Sequence, residues 1–262
     1  MVIPSFNPGS HHTKTIFITG GTTGLGRALA ENFLSQGHRV GVCSRGVRKG
    51  SYRNHPRLIH YEADVRDTVL LSKIVEDFAP LGLDIMIANA GVDHRNAENA
   101  LNFRLQREMF DINLIGVVNA FEAALPAMLK NKTGQLVAIS SLARFVGLPQ
   151  GAGYSASKAA VWNFCDGLAI DLSGTGVCVT TISPGLLKTG MNRPHQRATP
   201  FSLTAERAAK KIQEAINQRT PTYSFPLMSY LVFFVLSLLP RKLYAAFMKR
   251  WLSFCSARFG SN

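Results

Sequence analysis

The chain has 262 residues, 46% hydrophobic and 17% charged, a globular rather than a disordered composition and enough for one large domain with a buried core. Lysine and arginine number 29 against 16 acidic residues, a formal charge of +13 that suits an anionic partner: a phosphorylated cofactor, a nucleic acid or an acidic membrane surface. Cys43, Cys165, Cys178 and Cys255 are scattered without metal-ligand spacing, so no metal is expected, and their pattern suits a reducing compartment.

Residues 1–14 hold Pro4, Pro8 and Gly9 and no apolar stretch long enough for a signal peptide, and read as a flexible leader. Thr15 to Ile18 form a first buried strand, and a helix runs from about Gly24 to Gln36 until Gly37-His38 break it. Arg39 to Cys43 and Leu58 to Tyr61 are the second and third strands, and Val69 to Phe78 a helix. Leu83 to Ala88 follow as a fourth strand, then a long helix from Arg107 to Leu129. Gln135 to Ile139 are a fifth strand, Tyr154 to Leu172 a helix and Val177 to Ile182 a sixth strand. Strands that are hydrophobic throughout, alternating with helices, indicate a parallel sheet covered on both faces: a single-domain, doubly wound α/β fold.

Directly after the first strand stands Gly20-Gly21-Thr22-Thr23-Gly24-Leu25-Gly26, running into a helix. Glycines allow a tight turn and close backbone approach to a pyrophosphate, whose charge then rests on the helix N-terminus. Eighteen residues past Gly26, at the end of the second strand, come Ser44-Arg45 and then Arg48 and Lys49, with no carboxylate. A carboxylate there favours NAD, and a basic residue accommodates the 2′-phosphate of NADP, so NADP(H) is favoured over NAD(H).

Tyr154 and Lys158 lie four residues apart on one face of a predicted helix, with Ser141 thirteen residues upstream of the tyrosine. A cation beside a tyrosine favours the phenolate and pulls its pKa down from about 10, which makes the phenol usable as an acid or base near neutral pH.

Taken with Asp64-Val65 after the third strand, Asn89-Ala90-Gly91 after the fourth, Asn113 in the long helix, and Pro184-Gly185 and Thr189 beyond the sixth strand, these motifs resemble the short-chain dehydrogenase/reductase family over about residues 15–217. The resemblance implies a Rossmann-type cofactor and catalytic domain over residues 15–218. It implies that Tyr154 protonates a carbonyl oxygen, Ser141 hydrogen-bonds that oxygen, Lys158 lowers the tyrosine pKa and holds the nicotinamide ribose, and Asn113 positions a relay water. It also implies cofactor contacts from Gly20, Thr22, Gly24, Leu25, Gly26, Ser44, Arg45, Asp64, Val65, Asn89, Ala90, Gly91, Tyr154, Lys158, Pro184, Gly185 and Thr189. Asn89 reads equally as a tie between the central strands. Walls for the substrate are expected from residues 142–151 and 186–201, including Arg144, Phe145, Leu148, Met191 and His195. A homodimer or homotetramer is implied through the helices bearing Asn113 and Tyr154.

Residues 219–262 depart from that pattern, since no carboxylate follows Glu214. Tyr230 to Leu239 is a dense apolar run, too short to span a bilayer. In Arg241 to Cys255, Leu243, Tyr244, Phe247, Met248, Trp251 and Phe254 share one helical side, with Lys242, Lys249, Arg250 and Ser253 opposite. That arrangement suits a helix lying in a membrane interface, and equally a lid over the substrate or an oligomer contact.

The expected function is NADPH-dependent reduction of a ketone on a hydrophobic, lipid-like substrate, in the cytoplasm and peripherally on the inner face of a membrane. A long-chain 3-oxoacyl group or a 3-keto sphingoid base would suit, as would a steroid or retinoid ketone. The alternative is a cofactor-binding regulator without turnover. Nucleic-acid binding is not expected, because no recognition motif accompanies the positive charge.

Overall fold

A computed structural model describes residues 13–46, 55–94, 102–188 and 202–259. Its centre is a seven-stranded sheet in the order β3-β2-β1-β4-β5-β6-β9, every neighbouring pair parallel. The strands are β1 (Thr15–Thr19), β2 (Arg39–Ser44), β3 (Leu58–Glu62), β4 (Ile85–Ala88), β5 (Gly134–Ile139), β6 (Val177–Pro184) and β9 (Thr222–Phe225). A small parallel pair, β7 (Leu187–Lys188) with β8 (Leu203–Thr204), stands apart.

Helices cover both faces. α1 (Gly24–Ser35) and α6 (Ala205–Asn217) pack on one side, where Leu29, Phe33, Ala208 and Ile212 meet Ile16, Ile18 and Ile87 of the strands. On the other side lie α2 (Thr68–Phe78), α4 (Gly116–Asn131) and α5 (Ala152–Asp171), burying Leu71, Phe121 and Val161 against Phe17, Met86 and Leu136. Successive residues of a strand point to opposite faces, so Ile16 and Ile18 serve one core and Phe17 the other. This is why the strands read as hydrophobic throughout.

The long helix differs from a simple α-helix. α3 (Phe103–Phe110) leads into a π-helical turn, Asp111–Ile115, before α4 begins. An extra residue in the turn is invisible to a 3.6-residue periodicity, and it rotates Asn113 inward to complete burial. Phe103–Asn131 is long and apolar enough to cross a membrane by composition alone, but it is half buried against the sheet as a core helix.

The seventh strand, β9, lies past residue 218 and completes the sheet beside β6. The sheet therefore extends into the segment that sequence assigned to the tail, and the apolar tail proper begins with α7 (Leu227–Leu238), followed by α8 (Arg241–Phe259). β9 escaped the strand–helix reading because it is short and carries polar Thr222 and Ser224, whereas α6, with Ala205, Ala208, Ala209, Ile212 and Ile216 buried at helical spacing, was legible and was passed over.

Leu29, fully buried between α1 and the sheet, and Val69, 66% exposed on α2, set the scale of packing. Leu29→Ala is expected to lose about 2–5 kcal/mol of stability and Val69→Ala less than about 0.5 kcal/mol, measured by urea denaturation.

Candidate active site

The sheet's winding reverses between β1 and β4, and a cleft opens at the carboxyl ends of those strands, the place where open α/β sheets bind ligands. It encloses about 580 Å³. Asn89, at the end of β4, closes its floor: its side-chain N–H groups donate to the carbonyls of Thr19 (3.0 Å) and Gly20 (3.1 Å). The backbone N–H groups of Asn89 and Ala90 both donate to Thr19 Oγ1 at 3.1 Å. A side chain at Gly26 would collide with the Gly20 carbonyl and the Asn89 amide, so only glycine lets the loop fold this tightly.

Gly20, Thr22, Gly24, Leu25 and Gly26 line one side of the cleft. α1 begins there without a side-chain cap and without an acid in its first turn, whereas Asp67 caps α2 and Thr204 caps α6. Uncapped first-turn N–H groups beside a glycine turn fit an anionic phosphate, so the residues present suit a dinucleotide. Ser44 and Arg45 lie at one end of the cleft, with Asp64, Val65, Ala90 and Gly91 along it. Ser44 Oγ donates to the Gly46 carbonyl (3.0 Å), and Asp64 is held by Arg66 at 2.6 Å, which lowers its pKa. Cys43 also lines the cleft, but burial pushes its thiol up to about 12, leaving it protonated and inert.

The other end gathers Ser141, Tyr154, Lys158, Pro184 and Gly185. Ser141 and Ser140 divide the work. Ser140 is buried and donates to the Lys158 carbonyl at 2.8 Å. Ser141 faces the cleft and accepts from Ala143 N–H at 3.1 Å, which leaves its hydroxyl proton to donate. Lys158 is 4% exposed; its Nζ donates to the Ile139 carbonyl (2.8 Å) and stands 5.9 Å from the Tyr154 ring centre. Burial pulls the Lys158 pKa down to about 8, against a smaller opposing pull from Asp93.

Asn113 stands behind the cleft wall rather than in it. Its Oδ1 accepts from Val92 N–H (2.7 Å), and its Nδ2 donates to the Val92 carbonyl and to Ser157 Oγ, both at 3.0 Å. A methyl group at Gly91 would stand 3.1 Å from Asn113 Oδ1 and 3.5 Å from Lys158 Nζ, so both side chains crowd the same backbone step.

Thr189, Met191 and His195 lie outside the described residues. Arg144, Phe145 and Leu148, read from sequence as substrate walls, do not line this cleft. The Arg144 guanidinium lies 3.2 Å from the Trp162 ring centre and 3.9 Å from that of Phe145, while its Nε donates to Ser183 Oγ at 3.2 Å. Sequence reading missed Asp93 and His94, which line the cleft directly after Val92 and were signalled only by following the Asn89-Ala90-Gly91 motif. It also missed Glu108 of α3, which stands near Arg45 and His94.

The tail abuts this end of the site. Phe145, in the short turn just after Ser141, meets Tyr230 and Phe234 of α7 with ring centres 5.6 and 6.2 Å apart. Tyr244 of α8 donates its hydroxyl to the Gly147 carbonyl at 2.7 Å.

The family model for short chain dehydrogenases matches residues 14–200. An uncharacterized oxidoreductase of Myxococcus xanthus is 33% identical over 245 residues, 90% of this chain and 97% of that one. Dehydrogenase/reductase SDR family member 7B of Xenopus tropicalis is 31% identical over 193 residues; the match covers 68% of this chain and 62% of the amphibian protein. Among solved structures, a short chain dehydrogenase from Burkholderia cenocepacia in complex with NADP superposes with a TM-score of 0.79 at 24% identity, covering 90% of this chain and 98% of that one.

The buried ammonium has a consequence for stability. Lys158 is protonated in both folded and unfolded chains below about pH 8, and the folded form then bears the desolvation penalty. Between about pH 8 and about 10.5 the folded lysine is neutral while the unfolded one still binds a proton, so rising pH relieves the penalty. Urea denaturation across that window should show the parent gaining as much as ~3 kcal/mol relative to Lys158→Met.

Proposed function

The chain belongs to the short chain dehydrogenase family and is an NAD(P)-dependent oxidoreductase, and from that premise we propose that it reduces a ketone on a hydrophobic, lipid-like substrate with NADPH. The observation that carries this reading is the convergence of Ser141, Tyr154 and Lys158 at one end of a single cleft whose other end bears Arg45.

When bound, the dinucleotide supplies the hydride. The glycine turn and the first turn of α1 would hold its phosphates, Arg45 and Ser44 a 2′-phosphate, and Asp64 and Val65 the adenine. Asn89, Ala90 and Gly91 would hold its ribose, and Pro184 and Gly185 would border its nicotinamide. NADP(H) is favoured by Arg45 at the end of β2, and the Burkholderia structure of the same fold holds NADP.

Tyr154 donates its phenolic proton to the substrate oxygen, and Ser141 donates a hydrogen bond to the same atom as negative charge develops there. Lys158, mostly charged at pH 7 with a pKa of about 8, stabilises the phenolate left behind, and its burial makes that attraction stronger than in water. Asn113 fixes Val92 and Ser157, and through them the loop and the turn of α5 that border the lysine. The same residues run the alcohol oxidation in reverse.

A lipid-like substrate and a peripheral place on a membrane are supported by the tail. α7 has no buried residue and exposes Leu227, Met228, Leu231, Val232, Val235 and Leu238, while α8 exposes Leu243, Phe247 and Trp251 beside exposed Lys242, Lys249 and Arg250. Apolar side chains flanked by cations suit an anionic bilayer surface on the cytoplasmic side. Because α7 also leans on Phe145, one element both covers the site and meets the lipid. Exposed Phe103, Phe110, Ile115 and Ile170 on α3, the π-turn and α5 offer the face through which a dimer or tetramer would form.

NADPH consumption across a panel of ketones, including long-chain 3-oxo lipids in vesicles, tests the activity. Turnover is expected with an apolar ketone, and Tyr154→Phe should lower kcat by roughly 100- to 10,000-fold while retaining NADPH binding. Binding without turnover of any ketone would instead favour a regulator. Flotation with vesicles of mixed anionic and neutral lipid tests the tail: Lys249→Glu with Arg250→Glu should weaken binding at least roughly tenfold, with little effect on neutral vesicles.

A further inference from the structure

The end of β2 carries no carboxylate of its own, yet the fold brings one to it. Glu108 of α3 places Oε1 at 3.9 Å from Arg45 Nη1 and Oε2 at 3.2 Å from His94 Nε2. The second contact is at ion-pair distance without the alignment of a straight hydrogen bond. Arg45 and His94 both line the cleft, so Glu108 bridges the end of β2 and the loop after β4. Asp64 is the other acid near Arg45, but Arg66 already holds it with two side-chain bonds, at 3.0 and 2.6 Å. Among the described residues, Glu108 is therefore the carboxylate that directly balances the Arg45 charge.

We infer that Glu108 is a specificity-determining residue that limits how strongly this site prefers NADP(H) over NAD(H), by standing where the 2′-phosphate must compete for Arg45. The inference rests on the reading of the cleft as a dinucleotide site. A 2′-phosphate carries close to two negative charges and must either displace Glu108 from Arg45 or bind beside it. Both routes weaken the 2′-phosphorylated cofactor alone. NAD(H), with a neutral hydroxyl at that position, leaves the Arg45–Glu108 pair intact. A chain whose second strand ends in Ser-Arg thus accepts both cofactors, with a preference smaller than Arg45 by itself would set.

Titration calorimetry on the full chain and on Glu108→Gln tests this, with NADPH, NADH, adenosine 2′,5′-bisphosphate and adenosine 5′-monophosphate as ligands. The variant should bind NADPH and the bisphosphate roughly three- to tenfold more tightly, the size of a carboxylate–phosphate repulsion across about 6 Å of water. NADH and the monophosphate should change less than twofold, and the gain should shrink as salt screens these partly exposed charges. Glu108→Ala should agree in direction, with circular dichroism confirming the fold of both variants. Weaker binding of the 2′-phosphorylated ligands, an equal shift for all four, or no shift at all would overturn the inference. If the parent binds neither dinucleotide, the dinucleotide reading fails and takes this inference with it; a parent that binds both, with a ratio unmoved in the variants, overturns the inference alone.

Discussion

Everything at this site hangs on the hydrogen bonds that join the ends of β1 and β4. Thr19 receives two backbone N–H groups from the far strand through one hydroxyl, and Asn89 returns two bonds to the backbone of the glycine turn. These bonds satisfy polar groups where the sheet ends and the cleft begins, and they set the height at which α1 starts. The mouth of the uncapped helix is thereby fixed to these two strands, while Ser141 follows β5 and Lys158 is held by the β5 carbonyl of Ile139. A ligand spanning both ends meets a surface organised before it arrives, which reduces the ordering penalty of binding.

The second constraint is electrostatic. Lys158 keeps its charge in a buried place near its own pKa, and what holds it is a carbonyl of β5 together with the distant influence of Asp93. A cation so poorly compensated destabilises the fold and favours a negative charge placed beside it. Asn113 serves the same corner from below. The π-turn that buries its amide also commits both of its N–H groups and one acceptor position to Val92 and Ser157, which is a positioning arrangement more than a reactive one. The departure from regular helix geometry falls beside the cleft wall formed by Gly91 and Val92.

The tail packs beside the turn that follows Ser141. α7 and α8 bury no large apolar core of their own among the described side chains, and their firmest contacts are to the turn after Ser141. Any surface that covers the exposed leucines and aromatics therefore also presses on the wall beside the reactive end. Arg144, drawn into the Trp162 and Phe145 rings, stiffens that wall from within; burial lowers its pKa to about 10 without removing its charge at neutral pH.

Features that depend on local spacing were legible along the chain. Continuous hydrophobic strands alternating with helices dictated a doubly wound sheet, the glycine turn between β1 and α1 announced an anion site, and the four-residue step from Tyr154 to Lys158 put phenol and ammonium on one helical face. Each is encoded within a few residues, because backbone geometry and periodicity act over one turn of chain. Features that depend on segments far apart came from the packed fold. It carried Glu108 from α3 to Arg45 at the end of β2, turned Arg144 away from the cleft into an aromatic stack, wound the extra residue that buries Asn113, and drew short, half-polar β9 into the sheet. No window along the chain contains those distances, since packing of whole layers sets them.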